Sequence, residues 1–550
     1  MKRKIYHCLL ATLLFPLASV AQQRGTHDAE VARNLQVFNN IYRMLDMYYV
    51  DTLSADTTME WAIQGMLRRV DPFTEYYRQD DQELRQLAKG TYAGIGSIIR
   101  YSKRLGRTTI NEPYTGTPSM EAGLMAGDVL ISVDGKDTKG MAVSEVSKML
   151  RGDAGTTLTL KIQRPGESDK IRTVSLTRKN IQLPQIPYYG MMENNTGYIL
   201  LSGFTEGTAL KMRQTFNELK AQGMERLVLD LRDNPGGVID EAVNIVNMFV
   251  PKGRKVVYTR GKVAQSNREY FTTSEPIDTI TPMVVLVNGS SASASEILSG
   301  ALQDMDRAVV MGERTYGKGM VQSIRELPYD TNLKLTISRY YIPSGRCIQA
   351  YDYRHLRPDG SVGTVPDSLT RVFYTAGGRP VRDGGGIKPD TIVRPDSLPS
   401  FVYDVASSEE MFDYATNYVL RHKTIAPAGE FSLSDADYEA FADYVQSTGF
   451  TANRRTEEVM KVLKSAAQLE GYYPEAEAEF KALEAKLNTD VRTGILRMKH
   501  QIKHYLEAEI VSRYYHESGA LRQQLKNDKV FNQALHLVAD KDEMNKILKP

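Results

Sequence analysis

The pattern of hydrophobic and polar positions divides the chain into regions of different structure. Over 28–88, apolar residues recur every three or four positions, as at Val37, Ile41 and Leu45, and this spacing predicts an N-terminal helical region. Over 89–180, short β-like runs alternate with glycines around a single helical pattern. This second region is therefore expected to be a small β-rich module.

Residues 181–395 alternate between strand and helix patterns. Arg226–Leu231 and Met283–Val287 are continuous apolar runs of the kind that forms buried strands, and a Gly- or Ser-rich turn and a helical pattern follow each. An α/β layered domain is therefore expected. Over 400–550, Gly and Pro are scarce, charge is dense, and Leu, Ala and Tyr recur at helical spacing, which predicts a helical C-terminal domain.

The first 21 residues have the pattern of an export signal. A basic stretch at 2–4 precedes an apolar run at 8–17, and Ser-Val-Ala at 19–21 fits a small-x-small cleavage site. The alternative is a membrane anchor, but the run is shorter than the ~20 residues that a span needs. No later stretch is long and apolar enough for a span. We expect an exported protein, soluble after cleavage, in the periplasm or cell envelope.

Composition excludes several classes of protein. With 69 Lys and Arg against 67 Asp and Glu, the formal net charge of the 550-residue chain is +2, so no nucleic-acid partner is expected. Cys8 lies in the predicted signal, and the one remaining cysteine, Cys347, excludes an intramolecular disulfide and a Cys-rich metal site. No His-Glu-x-x-His motif occurs, so a metallohydrolase is disfavoured. No metal or cofactor is predicted.

The segment around Ser293 carries the strongest signal for chemistry. An apolar strand ends, a short polar turn follows, and a helix begins near Ser293. A small nucleophile at such a turn lies beside free backbone N–H groups and the positive end of the helix dipole, and both favour a developing oxyanion. The alternative is that Ser293 only caps the helix, because Ser293-x-x-Glu296 matches a capping box.

A lysine is a better candidate than a histidine for the base. Of the 8 histidines, only His355 lies in the α/β region, so a Ser-His-Asp triad is poorly supplied. Lys318 stands between two glycines, which allow close backbone approach, and Gln322 follows where a turn would let it orient the amine. The alternative is an ordinary solvated loop lysine, since only burial makes a lysine a base near neutral pH.

A second turn offers backbone donors. The run Asp-Leu-Arg-Asp-Asn-Pro-Gly-Gly at 230–237 ends the other buried strand, and such a turn exposes N–H groups that could form half of an oxyanion hole. The alternative is an ordinary strand-to-helix turn.

Together these motifs resemble those of the C-terminal processing (tail-specific) serine peptidases of family S41. The resemblance rests on this run, on Ser-Ala-Ser-Ala-Ser-Glu-Ile at 291–297 and on Tyr-Gly-Lys-Gly-x-Val-Gln at 316–322, and it covers about residues 30–395. It implies a multidomain α/β and α+β protein with a crotonase/ClpP-like α/β peptidase core over 181–395. The family's separation of 25 residues between serine and lysine is kept.

The resemblance also implies the roles of individual residues. The nucleophile falls on Ser293, the general base on Lys318 and an assisting glutamine on Gln322. The oxyanion donors would be the amides of Ala294 and of one glycine of the pair Gly236 and Gly237.

Residues 89–180 resemble a PDZ domain of the permuted bacterial type. The amides around Gly94, Ile95 and Gly96 would receive the C-terminal carboxylate of a peptide, and a free strand edge would pair with it. An apolar pocket would select apolar C-terminal side chains, and its expected lining is Ile95, Leu124, Val146 and Leu150. The alternative is a generic β-module.

Two functions remain in competition. The first is an exported serine endopeptidase with a Ser-Lys pair, whose PDZ domain captures proteins with free apolar C-termini. The second is a non-catalytic PDZ-containing binding or scaffold protein of the envelope, which would have no physical need for Ser293, Lys318 and Gln322 together. The region 400–550 lies outside the resemblance; in it, His500 and His504 share a helix face that is more typical of a solvated surface than of a metal site. A homo-oligomer is expected only by analogy.

Overall fold

The structure is a computed structural model that describes most of the chain. The described residues are 27–78, 90–167, 170–356, 362–452, 455–487 and 490–549. The predicted export signal at 1–21 lies outside them. Within these ranges, no helix is long and apolar enough to cross a bilayer.

One of two compact units consists of the N-terminal region together with Gln322–Thr336. Its helices, α1 over 27–48 and α2 at Ala55–Leu67, are largely exposed. Strand β1, Glu75–Tyr77, pairs antiparallel with residues 332–334. The helical character predicted for 28–88 is confirmed over 27–48 and Ala55–Leu67, whereas Glu75–Tyr77 form a strand and 79–88 lie outside the described residues.

The second unit begins with the β-rich module. Its strands are β2 (Thr91–Gly94), β3 (Ser97–Ser102), β4 (Arg107–Pro113), β5 (Val129–Val133), β6 (Lys136–Asp137), β7 (Thr157–Gln163), β8 (Ile171–Thr177) and β9 (Lys179–Gln182). Its helices are α3 (Pro118–Glu121) and α4 (Val143–Leu150). The main sheet has the antiparallel order β3-β4-β5-β7-β8, so β3 is an edge strand among the described residues. On β7, buried Leu158, Leu160 and Ile162 alternate with exposed residues, as expected of a sheet with one buried face.

The α/β region follows. Its first strands are β10 (Tyr188–Met192), β11 (Thr196–Leu200), β12 (Arg226–Asp230), β13 (Lys255–Gly261), β14 (Arg268–Phe271), β15 (Met283–Val287) and β16 (Val309–Gly312). The later strands are β17 (Met320–Leu327), β18 (Thr331–Tyr341), β19 (Tyr351–Leu356), β20 (Val362–Thr364), β21 (Val372–Tyr374), β22 (Pro380–Arg382) and β23 (Thr391–Ile392). Of these, the parts of β17 and β18 within Gln322–Thr336 belong to the first unit. Its helices are α5 (Thr208–Ala221), α6 (Ile239–Phe249) and α7 (Ala294–Asp304), with short 3-10 turns at Ala264–Ser266 and Asp367–Leu369.

A six-stranded sheet forms the centre of this region. Its order is β10-β11-β12-β15-β16-β23; β10 is antiparallel to β11, and the other neighbours are parallel. Both strands predicted from apolar runs lie in its middle, and all five residues of β15 are buried. The carboxyl ends of parallel strands meet at one edge, so the turns that follow β12 and β15 are brought together there.

Helices cover both faces of the central sheet. On one face, α5, α6 and α7 form a core with inward side chains such as Leu229, Val285 and Ile297. On the other face, Tyr198 and Leu286 pack against Phe531 and neighbouring residues near the C-terminus. A parallel sheet needs both faces covered, which explains why its strands read as continuous apolar runs.

The C-terminal region is helical, as predicted. Its helices are α8 (Ser400–Ala406), α9 (Glu409–Arg421), α10 (Asp435–Ser447), α11 (Arg455–Leu469), α12 (Tyr473–Leu487), α13 (Val491–Arg497), α14 (Lys499–Leu525), α15 (Lys529–Ala539) and α16 (Lys541–Leu548). Side-chain caps begin several of them: Ser408, Ser434 and Asp528 each accept the N–H three residues on. The helices α8, α9, α10, α13 and most of α14 share their own core, whereas α15 and α16 pack on the central sheet.

Candidate active site

Ser293 lies at the start of α7, directly after the turn that follows β15. Its backbone has φ 58° and ψ −113°, a conformation that is unfavourable for any residue with a side chain. Its hydroxyl makes no hydrogen bond to the N–H groups of the helix. The carboxylate of Glu296 instead accepts the N–H of Ser293 at 2.9 Å. Glu296 therefore caps the start of the helix, and the hydroxyl of Ser293 is not needed as a cap.

The Asn-Pro-Gly-Gly turn lies against the turn that carries Ser293. The carbonyl of Asn234 accepts the N–H of Ala292 at 3.0 Å and the hydroxyl of Ser295 at 2.9 Å. Asn234 is itself fully buried, and its amide donates to the carbonyl of Leu201 at 2.7 Å. A side chain at Gly236 would lie 2.8 Å from both the Ala294 nitrogen and the Ser293 Cβ, so only glycine permits this approach.

The two glycines of this turn differ in where their amides point. The N–H of Gly236 is already bonded to Asn234 Oδ1 at 2.9 Å. Phe204 pairs with the carbonyl of Gly236 and with the N–H of Val238, as a neighbouring parallel strand would. Because backbone groups alternate along an extended segment, the N–H of Gly237 points away from Phe204.

Lys318 lies in a loop whose glycines are required by close packing. Gly317 has φ 84°, and a side chain there would overlap Ala350. A side chain at Gly319 would lie 2.8 Å from the backbone nitrogen of Gln349. The loop is therefore pressed against its surroundings on both sides of the lysine.

Glu296 joins the serine turn to the lysine loop. It is fully buried, and its Oε2 accepts the N–H groups of Ser293 and Lys318, each at 2.9 Å. Its Oε1 accepts the hydroxyl of Thr315 at 2.6 Å and the N–H of Gly317 at 2.7 Å. Burial raises the pKa of the Glu296 carboxyl to about 7, although these four hydrogen bonds act in the opposite direction.

Tyr340, on β18, meets the same two segments from another side. Its hydroxyl lies 2.6 Å from the carbonyl oxygen of Lys318 and 3.1 Å from that of Ser293. The sequence analysis missed this residue, because no local motif marks a tyrosine that is distant along the chain. It identified Glu296 only as a helix cap, although the same Ser-x-x-Glu spacing pointed to it.

Beside the Asn-Pro-Gly-Gly turn, an ion-pair network reaches the C-terminal helices. Asp230 is buried at the end of β12 and accepts hydrogen bonds from the guanidinium of Arg232 and from the hydroxyl of Tyr198. Arg232 also pairs with Asp528 at 2.7 Å. Asp528 is the cap of α15, which packs on the central sheet, so this helix is tied to the turn that follows β12.

The predicted peptide-binding residues lie in the β-rich module. Gly94 ends β2, and Gly96 has φ 77° with its carbonyl accepting the hydroxyl of Thr117 at 2.9 Å. The four predicted pocket residues belong to the closed core of the module and are at most 4% exposed: Ile95, Leu124, Val146 and Leu150. Their role in peptide selection stays a prediction.

Gln322 belongs to the unit that contains the N-terminal region. Its side-chain amide donates to the hydroxyl of Thr336 at 3.2 Å. Its assistance to Lys318 stays a prediction, as do the roles of Ser293 and Lys318 themselves.

Comparison with protein-family models gives three matches. Residues 195–362 match "Peptidase family S41", residues 109–164 match "PDZ domain", and residues 401–538 match "Probable PDZ-protease, C-terminal helical domain". The three matched segments follow the same order along the chain as the module, the central sheet and the C-terminal helices.

Similar proteins carry protease names. The chain is 34% identical over 339 residues to "Carboxy-terminal-processing protease" of Bartonella bacilliformis, covering 60% of this chain and 77% of that protein. It is 32% identical over 389 residues to "Probable CtpA-like serine protease" of Staphylococcus aureus, covering 70% of this chain and 75% of that protein. A solved structure, "Photosystem II D1 C-terminal processing protease", aligns at 29% identity and TM-score 0.35, covering 66% of this chain and 94% of that one. On the strength of the two sequence relatives and the matched models, the chain belongs to the C-terminal processing serine peptidases of family S41 that carry a PDZ domain.

Proposed function

We propose that this chain is an exported serine endopeptidase in which Ser293 is the nucleophile and Lys318 is the general base. The observation that carries the proposal is the carboxylate of Glu296, which accepts the N–H groups of both residues. A single fully buried group thus fixes the two backbones relative to each other. The serine hydroxyl makes no hydrogen bond to the helix N–H groups, which fits a role as nucleophile.

Peptide cleavage would proceed through an acyl-enzyme. The neutral amine of Lys318 takes the hydroxyl proton of Ser293, whose Oγ forms a bond to the peptide carbonyl carbon. The carbonyl oxygen gains negative charge and is held by the amides of Ala294 and Gly237, because the N–H of Gly236 is already bonded. The C–N bond then breaks, and the ammonium of Lys318 gives its proton to the leaving amine. Water repeats the sequence on the ester and releases the second product.

The PDZ domain is proposed to recognise the free C-terminus of the substrate. Strand β3 lies at the edge of its sheet among the described residues, so an extended peptide has backbone groups to pair with. The amides around Gly94, Ile95 and Gly96 would bind the terminal carboxylate. The preference for apolar tails and the export of the chain to the periplasm or cell envelope belong to the same proposal.

Three variants test the Ser-Lys assignment. Ser293→Ala and Lys318→Arg are expected to lower kcat at least about 10³-fold towards an unfolded protein with an apolar tail, measured by mass spectrometry of the fragments. Ser290→Ala is the matched control, because Ser290 lies exposed in the same turn. Covalent labelling by a fluorophosphonate should be lost in Ser293→Ala, slowed in Lys318→Arg and unchanged in Ser290→Ala. Near-normal turnover by either catalytic variant would refute the assignment.

A change of substrate tests the recognition step. The same unfolded protein ending in two aspartates should show a raised KM and an unchanged rate of fluorophosphonate labelling, since the dyad is not altered. Equal KM values for the two tails would contradict recognition of apolar C-termini.

A further inference from the structure

Tyr340 occupies an unusual place beside the proposed dyad. Its side chain is only 1% exposed, and its single hydroxyl faces the carbonyl oxygens of both Lys318 and Ser293, at 2.6 Å and 3.1 Å. Its own backbone N–H donates to the carbonyl of Gly319 at 3.0 Å. The tyrosine therefore holds the lysine loop through its backbone and through its side chain.

The hydroxyl and the carboxylate of Glu296 complement each other. Glu296 accepts the N–H groups of Ser293 and Lys318. The one hydroxyl proton of Tyr340 is shared between the carbonyl groups of the same two residues, at 2.6 Å for Lys318 and 3.1 Å for Ser293. The backbone of each residue is thus held at both ends by side chains that carry no part of the proposed proton transfer. This arrangement restrains the distance between the serine and the lysine backbones.

Both held segments need such a restraint. Ser293 has a strained backbone with φ 58°, and a conformation of this kind persists only where the surroundings impose it. The carbonyl of Ser293 also accepts the N–H groups of Glu296 and Ile297, so it is anchored without the tyrosine. The lysine loop, with glycines on each side of Lys318, has more freedom, and its shorter bond to the hydroxyl is the one that matters more.

We propose that Tyr340 is a positioning residue that sets the place of the Lys318 loop relative to Ser293, an inference that rests on the proposed Ser-Lys mechanism. The hydroxyl touches no reacting atom and acts only through the lysine backbone. Burial, together with nearby Glu296, raises the pKa of Tyr340 well above its ordinary value, so the hydroxyl keeps its proton and remains a donor at every working pH.

The test compares two Tyr→Phe variants in the full chain. Tyr340→Phe removes the hydroxyl and keeps the ring. Tyr438→Phe is the matched control, because Tyr438 is also fully buried and donates to a carbonyl, that of Ile495, at 2.8 Å in the C-terminal helical core. Both variants lose one buried hydrogen bond of the same kind, so they should melt at similar temperatures.

The expected result is a split between kcat and KM. Tyr340→Phe should lower kcat about 10- to 100-fold and slow fluorophosphonate labelling of Ser293, with KM for the unfolded protein within about twofold of the unchanged chain. Tyr438→Phe should leave all three values unchanged. If Tyr340→Phe acted only by lowering stability, kcat and the labelling rate would change by the same factor in both variants.

Two outcomes would overturn the inference. One is a Tyr340→Phe protein with the kcat and labelling rate of the control, which would show that the hydroxyl does not position the dyad. The other is a Tyr340→Phe protein that fails to fold beside a folded Tyr438→Phe, which would assign the hydroxyl to the fold. If Ser293→Ala or Lys318→Arg retains turnover, the proposed mechanism itself fails, and that result is separate from both outcomes.

Discussion

Two carboxyl groups in this protein have a pKa raised to about 7, but Glu296 is fully buried and Glu112 is half-buried. Glu296 lies under the proposed dyad, and Glu112 lies where the PDZ domain meets helix α14. Burial is the main cause of the raised pKa in both. Two carboxyl groups with a similarly raised pKa therefore have different roles. Glu296 fixes backbone geometry, and Glu112 joins two regions of the fold.

The partners of the two carboxyl groups explain the difference. Glu296 accepts four hydrogen bonds, which lower the pKa of its carboxyl group, and burial is what raises that pKa. Glu112 accepts the N–H of Glu517 at 2.7 Å, and the charges of Glu517 and Glu509 raise its pKa further, while that of Arg513 lowers it. Hydrogen-bond donors thus stabilise the ionised form of Glu296, whereas nearby negative charges destabilise the ionised form of Glu112.

A kink in α14 creates the contact at Glu112. His516 has φ 58° and ψ −168° in the middle of the helix, so the regular hydrogen-bond pattern is interrupted there. The next N–H, that of Glu517, is released and donates to Glu112 instead. We expect this charged and partly solvated contact at Glu112 to tolerate substitutions that the fully buried site at Glu296 does not.

The largest effect is expected from Glu296→Gln. All four partners of Glu296 are donors, so an amide NH₂ in place of Oε2 would face the N–H groups of Ser293 and Lys318. We expect kcat to fall about 100- to 1,000-fold because the two segments separate. Steady-state kinetics measures this loss.

Glu112→Gln is the matched control for that change. It replaces the other carboxyl group of raised pKa and should leave kcat within about twofold at neutral pH, because Glu112 is not in contact with the dyad. Equal losses in the two variants would remove the contrast between the sites.

A smaller effect, on stability alone, is expected from Arg513→Met. The guanidinium of Arg513 lies 4.6 Å from the centre of the Phe412 ring and 2.6 Å from Glu509, and its side chain is 7% exposed. Its loss should lower the free energy of unfolding by about 1–2 kcal/mol and leave the labelling of Ser293 unchanged. Urea unfolding measures the first quantity.

Arg104 provides the control at the same contact between the PDZ domain and the helices. It pairs with Asp413 at 2.5 Å, but its side chain is 57% exposed, so Arg104→Met should change the free energy of unfolding by less than about 0.5 kcal/mol. If the two arginine variants lose the same stability, burial does not decide the strength of this contact.

The local hydrophobic pattern was sufficient to predict the strands that precede the two turns of the site. The apolar runs at β12 and β15 predicted the two central strands, and parallel pairing then places the turns after them at one edge of the sheet. The family resemblance, which implies that amides of both turns form one oxyanion hole, predicted that these turns would meet. The contact between Gly236 and Ser293 follows from that geometry together with the small size of glycine.

Contacts between distant segments could not be predicted in the same way. Tyr340 is one of 31 tyrosines, and nothing near it in the sequence says that its hydroxyl meets the backbones of Ser293 and Lys318. An apolar helix pattern likewise shows that a face is buried but not against what. The helical pattern near Phe531 therefore did not reveal that α15 covers the central sheet.

The smallest effect is a change in how stability depends on pH. The pKa of Glu112 is raised from its ordinary 4.5 to about 7 in the folded protein, so folding favours the protonated form. Its contribution is fully present below about pH 4.5 and is lost as pH rises through 7. Since the group is partly exposed, the loss should be about 1–2 kcal/mol between pH 5 and 8.

Glu112→Gln should flatten the pH dependence, because the amide stays neutral and keeps an oxygen that accepts the N–H of Glu517. Urea unfolding at several pH values between about 5 and 8 measures the change. Glu296 titrates in the same range in both proteins, so its contribution cancels in the difference. Glu121→Gln, at an exposed ion pair with Lys179, should keep the unchanged slope. An unaltered slope in Glu112→Gln would contradict the prediction, because the pH dependence of stability would then come from other groups.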